Sequence, residues 1–120
     1  MKRLFDKVYF SSELLSDKFL VGGSTQNLLK FLVADTISAT EVSTVEIKIE
    51  APSEERGGDP VTLLDWTTLT QDSDNINIYE ESVTLEFTEE YEQVQALIKI
   101  TDTNGNVYYN HYDSYETKVL

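Results

Sequence analysis

An all-β chain is the class this sequence predicts: an antiparallel β-sandwich of seven or eight short strands behind an N-terminal arm. Three observations carry that reading. Runs at residues 44–50, 82–88 and 94–101 alternate apolar and polar side chains with the period of a half-buried strand. Turn-forming residues recur at the spacing of a sandwich. No stretch holds a sustained helical pattern.

Taken in order, residues 1–24 read as the arm and residues 25–120 as the sandwich domain. Residues 4–10 (LFDKVYF) suit a short extended segment. Residues 11–19 have room for one or two helical turns, with Ser12 as an N-cap oxygen but no glutamate three positions on to complete a capping box. Gly22-Gly23-Ser24 then marks a turn or hinge. Residues 26–34 (QNLLKFLVA) are apolar enough for a buried strand or a helix, and their length, Phe31 and Val33 favour the strand. In residues 41–51, Val45, Ile47 and Ile49 face one way and Thr44, Glu46, Lys48 and Glu50 the other. Residues 52–60, with two prolines and a glycine pair, form a charged loop. Residues 61–66 give a short strand ending at Trp66, the single tryptophan and the expected core anchor. Residues 67–75 are polar and turn-rich, and Ile76 and Ile78 then alternate with Asn77. Residues 82–88 place Val83, Leu85 and Phe87 inward, and residues 115–120 supply a last strand.

The clearest two-stranded signal is residues 93–112. Asn104 and Gly105 both tolerate positive φ, as a two-residue type I′ turn requires. With that loop, Asp102 faces Val107, Ile100 faces Tyr109 and Ile98 faces His111. Val94, Ala96, Ile98, Ile100, Val107 and Tyr109 then share the core face. Leu97, Lys99, Thr101, Tyr108, Asn110 and Tyr112 share the other. A three-residue loop would turn one strand over, because side chains alternate strictly along a strand.

Composition excludes several functions. A 120-residue chain, 40% hydrophobic with seven Tyr and five Phe, is long and apolar enough for one domain with its own core. It has no cysteine, hence no disulfide framework and no thiolate metal site. No run reaches the length of a membrane helix. Lys2 and Arg3 resemble the start of a signal peptide, but Asp6, Lys7 and Glu13 interrupt any apolar region behind them. The net charge of −13 opposes binding to phosphate backbones. That charge is uneven: residues 1–30 sum to +2 and residues 31–120 to −15.

Catalytic and metal patterns are weak. His111 is the only histidine, so any serine–histidine site would have to be built on it. Nucleophile-elbow, Walker and dinucleotide glycine patterns do not occur. Asp102-x-Asn104-x-Asn106 resembles half a calcium loop, but the glycine follows the second ligand position and no glutamate stands at the twelfth. Turn chemistry explains those three residues more simply. Adjacent glutamates such as Glu54-Glu55, Glu80-Glu81 and Glu89-Glu90 read as solvated surface rather than as a glycosidase pair. The expectation is a chain with no enzymatic activity, no cofactor and no metal.

The run QALIKITDTNGNVY, residues 95–108, is similar to the late hairpin of immunoglobulin-like β-sandwich domains in bacterial surface and phage virion proteins. In those domains an alternating strand ends in a turn of the kind seen here at Asp102, Thr103, Asn104, Gly105 and Asn106. The whole resembles the small sandwich domains of phage baseplate and head-accessory proteins, from which the arm departs. That resemblance implies an immunoglobulin-like fold and a structural or assembly role in a virion, assembled in the host cytoplasm. The implied partners are other virion proteins or copies of itself in an oligomeric assembly, with neither nucleic acid nor membrane bound. A carbohydrate- or receptor-binding module, using Trp66 or the tyrosines, is the alternative.

The residues expected at a partner interface come from both ends of the chain. Phe5, Tyr9, Phe10, Leu14 and Phe19 give the arm too much apolar surface to stay solvated. Leu97, Tyr108 and Tyr112 share the face opposite the core, where aromatic groups suit an interface or cover a second part of the core.

Overall fold

The computed structural model describes residues 10–35, 42–52 and 57–119. Within them lie eight strands and no helix: β1 (Phe10–Leu14), β2 (Phe19–Gly22), β3 (Gln26–Asp35), β4 (Val42–Ala51), β5 (Val61–Gln71), β6 (Ile78–Thr84), β7 (Val94–Asp102) and β8 (Val107–Val119). They form one curled sheet in the order β1-β3-β6-β5-β4-β7-β8-β2. The curl makes two leaves, β1-β3-β6 and β5-β4-β7-β8-β2. They are continuous where Thr70 and Gln71 at the end of β5 pair with Glu80 and Tyr79 of β6, and they meet again where Gly22 of β2 bridges to Leu85 just past β6. Placing β3 beside β6 in one leaf and β4, β7 and β8 together in the other is the immunoglobulin-like arrangement. One pair departs from the expected antiparallel scheme, since β2 runs parallel to β8.

Alternation builds the core between the leaves. Val94, Ala96, Ile98 and Ile100 of β7 are buried, as are Val45, Ile47 and Ile49 of β4 facing them. Leu29, Phe31 and Val33 of β3 close it from the other leaf, so residues 26–34 take the strand rather than the helix. Leu85 and Phe87 are buried just past the end of β6, which starts earlier than residues 82–88 suggest. The expected polar turn at 67–75 is half strand: β5 continues to Gln71 because Thr67 and Thr68 pair with Ile47 and Glu46 of β4. β-branched threonine suits such a ladder.

Residues 10–22, expected within the arm, are two edge strands of the sandwich. β1 pairs along β3 from Phe10↔Asp35 to Leu14↔Phe31. The chain then crosses to the other leaf. Leu15 N–H donates to the Lys30 carbonyl (2.8 Å) and Ser16 Oγ accepts from Lys30 N–H (3.1 Å). β2 is held there by Asn27 of β3, whose amide oxygen accepts from Val21 N–H (2.7 Å) and whose nitrogen donates to the Val21 carbonyl (2.9 Å). A buried side-chain amide thus stands in for a strand neighbour. Gly22, read as part of a hinge, is a close-approach position. A Cβ there would meet the Phe87 carbonyl and stand 2.7 Å from the Phe87 ring. Phe5 and Tyr9 lie outside the described residues.

Candidate functional site

The geometry of the last hairpin decides which side chains reach the surface. Gly105 N–H donates to the Asp102 carbonyl (3.1 Å), and Asp102 N–H donates to the Asn106 carbonyl (3.0 Å). Gly105 has φ +86°, whereas no non-glycine residue, Asn104 included, has positive φ among those described. The loop is therefore three residues long, a type I turn closed by a left-handed glycine, not the expected two-residue type I′ turn. Asp102 selects it. Its buried carboxylate accepts from Asn104 N–H (2.9 Å), Asn106 N–H (2.9 Å), the Asn106 amide (3.2 Å) and the Tyr108 hydroxyl (3.3 Å). Burial alone raises the Asp102 pKa. The bonds from Asn106, Asn104 and Tyr108 outweigh it and hold the carboxyl below its ordinary range.

An odd loop shifts β8 by one residue and turns the side chains of residues 107–112 over, up to a second register shift before Tyr115. Thr101 faces Val107, Ile100 faces Tyr108, Lys99 faces Tyr109 and Leu97 faces His111. Tyr108 packs on Phe10 with ring centroids 5.0 Å apart, and Tyr112 packs on Phe31 and Tyr115 at 6.5 and 4.8 Å. Both tyrosines thus cover the chain's own core, the second of the two roles open to them. Val107, Tyr109 and His111, expected on or at the rim of the core face, point outward and are exposed.

The described members of the expected interface set are accordingly dispersed. Phe10 is buried and Leu14 packs against the core. Leu97 is half-buried on the outer face of β7, while Phe19, 45% exposed, lies on β2 at the far edge of the same leaf.

A different group comes together on the outer face of β5-β4-β7-β8. Trp66 is not a core anchor: it points outward, 38% exposed, beside Tyr109, which is 59% exposed. Their ring centroids stand 6.4 Å apart. Lys48 and Lys99 each hold Nζ over the Trp66 ring, 5.9 and 5.8 Å from its centroid. Lys99 also pairs with Glu46 at 3.6 Å. An irregular register between β4 and β5, where Ile47↔Thr67 passes to Ile49↔Leu64, turns Trp66 outward. Such a surface offers aromatic area framed by two cations on a strongly acidic body. Sequence reasoning named Trp66 but placed it inside, because strand alternation cannot show an extra residue in a ladder.

Beside Tyr109 runs an open groove lined by Phe10, Ser11, Ser12, Tyr109, Asn110 and His111. Asn110 anchors its floor by donating to the Phe10 carbonyl at 2.8 Å. No group of three or more His, Asp or Glu side chains is disposed to hold a metal ion among the described residues.

No family model matches this sequence, and no curated protein matches it. Solved structures share its outline. Superoxide reductase (neelaredoxin) from Ignicoccus hospitalis is 10% identical, with 90% of this chain and 80% of that one covered at a TM-score of 0.45. A single-site variant of that protein is 9% identical over the same shares at 0.48. Murine CRIg is 10% identical over 92% of this chain and 98% of that one, also at 0.48. The expectation of a chain without enzymatic activity is corrected by these structures, two of which are of an enzyme, superoxide reductase. That expectation is set aside. No residue role passes to this chain at 10% identity.

Proposed function

We propose that this chain is a docking module for assembly, binding another protein subunit through the outer face of β5-β4-β7-β8. One observation carries the reading: Trp66 and Tyr109 stand exposed side by side with Lys48 and Lys99 around them. Exposed Trp and Tyr side chains supply large contact area with polar tips and are enriched at interface centres, and the lysine stems beside them add apolar cover. Elsewhere the acidic surface of a chain at −13 keeps it soluble and discourages indiscriminate contact. The setting, a phage virion in which the chain decorates a head or joins a tail or baseplate, rests on the resemblance of residues 95–108 to such sandwich domains.

A second reading has its own support. An exposed tryptophan ring on a flat sheet face is also a stacking surface for a sugar, which would make the chain a carbohydrate-binding module. Co-expression with the products of neighbouring reading frames, followed by size exclusion, separates the two. The assembly reading expects a stable complex that Trp66→Ala with Tyr109→Ala abolishes without lowering the melting temperature. Binding on a glycan array, lost in the same double variant and unaccompanied by any protein complex, would replace it with the carbohydrate reading.

A further inference from the structure

β5 is paired on one side only for most of its length. β4 covers one edge from Val45↔Leu69 to Ala51↔Val61, but β6 meets the other only at Thr70 and Gln71. Among the described residues nothing pairs with residues 61–69 on that side. Beyond Glu80, β6 likewise pairs with β3 alone, so two open edges diverge from the junction between the leaves. An unpaired edge presents a row of N–H and C=O groups ready for another strand, and proteins ordinarily guard it.

The guard here is slight. β5 reads VTLLDWTTLTQ, with one charge in eleven residues. That charge, Asp65, turns back on the strand: its Oδ1 accepts from Trp66 N–H at 2.8 Å. The β4 ladder gives neither Asp65 nor Trp66 a partner, so a side chain occupies a donor that an added strand's carbonyl would otherwise take. Neither β5 nor β6 carries a lysine or arginine. Of their three carboxylates, Glu80 is paired with Lys30 at 3.8 Å, which leaves Asp65 on one open edge and Glu81 on the other.

We propose that the open edge of β5 is a strand-addition site for an extended segment of a partner protein bearing lysine or arginine at alternate positions. The incoming backbone supplies a carbonyl to Trp66 N–H, and the displaced Asp65 carboxylate pairs with an incoming cation. Charge selects this occupant over a second copy. Two chains at −13 repel, and an antiparallel self-pairing centred here sets Asp65 beside its own counterpart. The edge is a separate surface from the outer face described above, although Trp66 belongs to both.

Trp66 is the single tryptophan, so its fluorescence reports this edge directly. The probes are three end-blocked synthetic nonapeptides: alternating Lys and Val, the same with a central proline, and alternating Glu and Val. The expected result is a saturable shift in emission with the Lys–Val peptide and at least tenfold weaker binding of the other two. Asp65→Lys should weaken the Lys–Val peptide at least tenfold at an unchanged melting temperature, and Tyr109→Ala should leave it unaltered. No shift with any peptide overturns the proposal. Equal binding of the proline peptide overturns strand addition, and equal binding of the Glu–Val peptide overturns the charge selection. Loss of binding in Tyr109→Ala moves the site to the outer face and overturns the edge. A shift that follows protein concentration alone, with a dimer on light scattering, makes a second copy the occupant and overturns it as well.

Discussion

The Tyr108 hydroxyl donates to the Asp102 carboxylate at 3.3 Å, tying the first inward side chain of β8 to the last buried residue of β7. The two residues face the same side of the leaf only because three residues, not two, separate the strands. Asp102 thereby sets both the turn and which side chains of residues 107–112 point outward, Tyr109 among them.

Replacing Asp102 by Ala should lower the melting temperature through loss of four acceptor contacts in one loop. The pH dependence has a definite sign. The folded carboxyl titrates below its unfolded value, so its contribution is complete above the ordinary aspartate pKa of about 3.9. It is lost as pH falls through the lower folded value. The gap in melting temperature between wild type and variant should therefore be constant near neutrality and close in acid. A gap that widens on acidification would contradict this account of Asp102.

Ile98 is fully buried at the centre of β7, between Ile47 of β4 and Asn110 of β8. Ile98→Ala should cost about 2–4 kcal/mol in a urea titration, from lost transfer energy and the cavity left behind. A loss below about 0.5 kcal/mol, within the range of ordinary surface substitutions, would place this residue outside the core.

How much of this was legible beforehand differs by element. The inward faces of β4 and β7 follow from alternation alone, and Val45, Ile47, Ile49, Ile98 and Ile100 are buried as that pattern requires. The face of β8 was not fixed by its sequence, because VYYNHY has aromatics at odd and even positions alike. Its orientation depended on loop length, which Asp102 decides through bonds that turn propensity does not register. Trp66 went astray for a related reason, since the irregularity in the β4–β5 ladder has no local signature. Residues 10–22 looked like an arm because β1 and β2 have only five and four residues, too short to show a convincing period.

The glycine pair at the end of β2 offers a sharp test. Gly22→Ala pushes a methyl group against the Phe87 backbone and ring, and backbone cannot rotate away as a side chain can. Overpacking of this kind costs about 1–3 kcal/mol. Calorimetry should show a clear drop in melting temperature. An unchanged transition would mean that β2 can lift from the sandwich without cost and behaves as the separate arm its sequence suggested.

Tyr115 tests the polar side of the core. Its ring is buried against Tyr112, and its hydroxyl makes no well-formed hydrogen bond among the described residues. Burial, followed by the neighbouring Tyr112, pushes its pKa far above the ordinary tyrosine range, and nearby Ser16 opposes this only in part. The hydroxyl is therefore neutral at neutral pH. A buried donor without an acceptor costs about 1–3 kcal/mol. Tyr115→Phe removes the hydroxyl and keeps the ring, so stability should be unchanged or rise by up to about 1 kcal/mol. Tyr115→Leu, which loses the edge-on contact with Tyr112 at 4.8 Å, should instead destabilise. Urea unfolding of both variants decides the matter. A loss in Tyr115→Phe as large as in Tyr115→Leu would show that the hydroxyl, not the ring, is what the site requires.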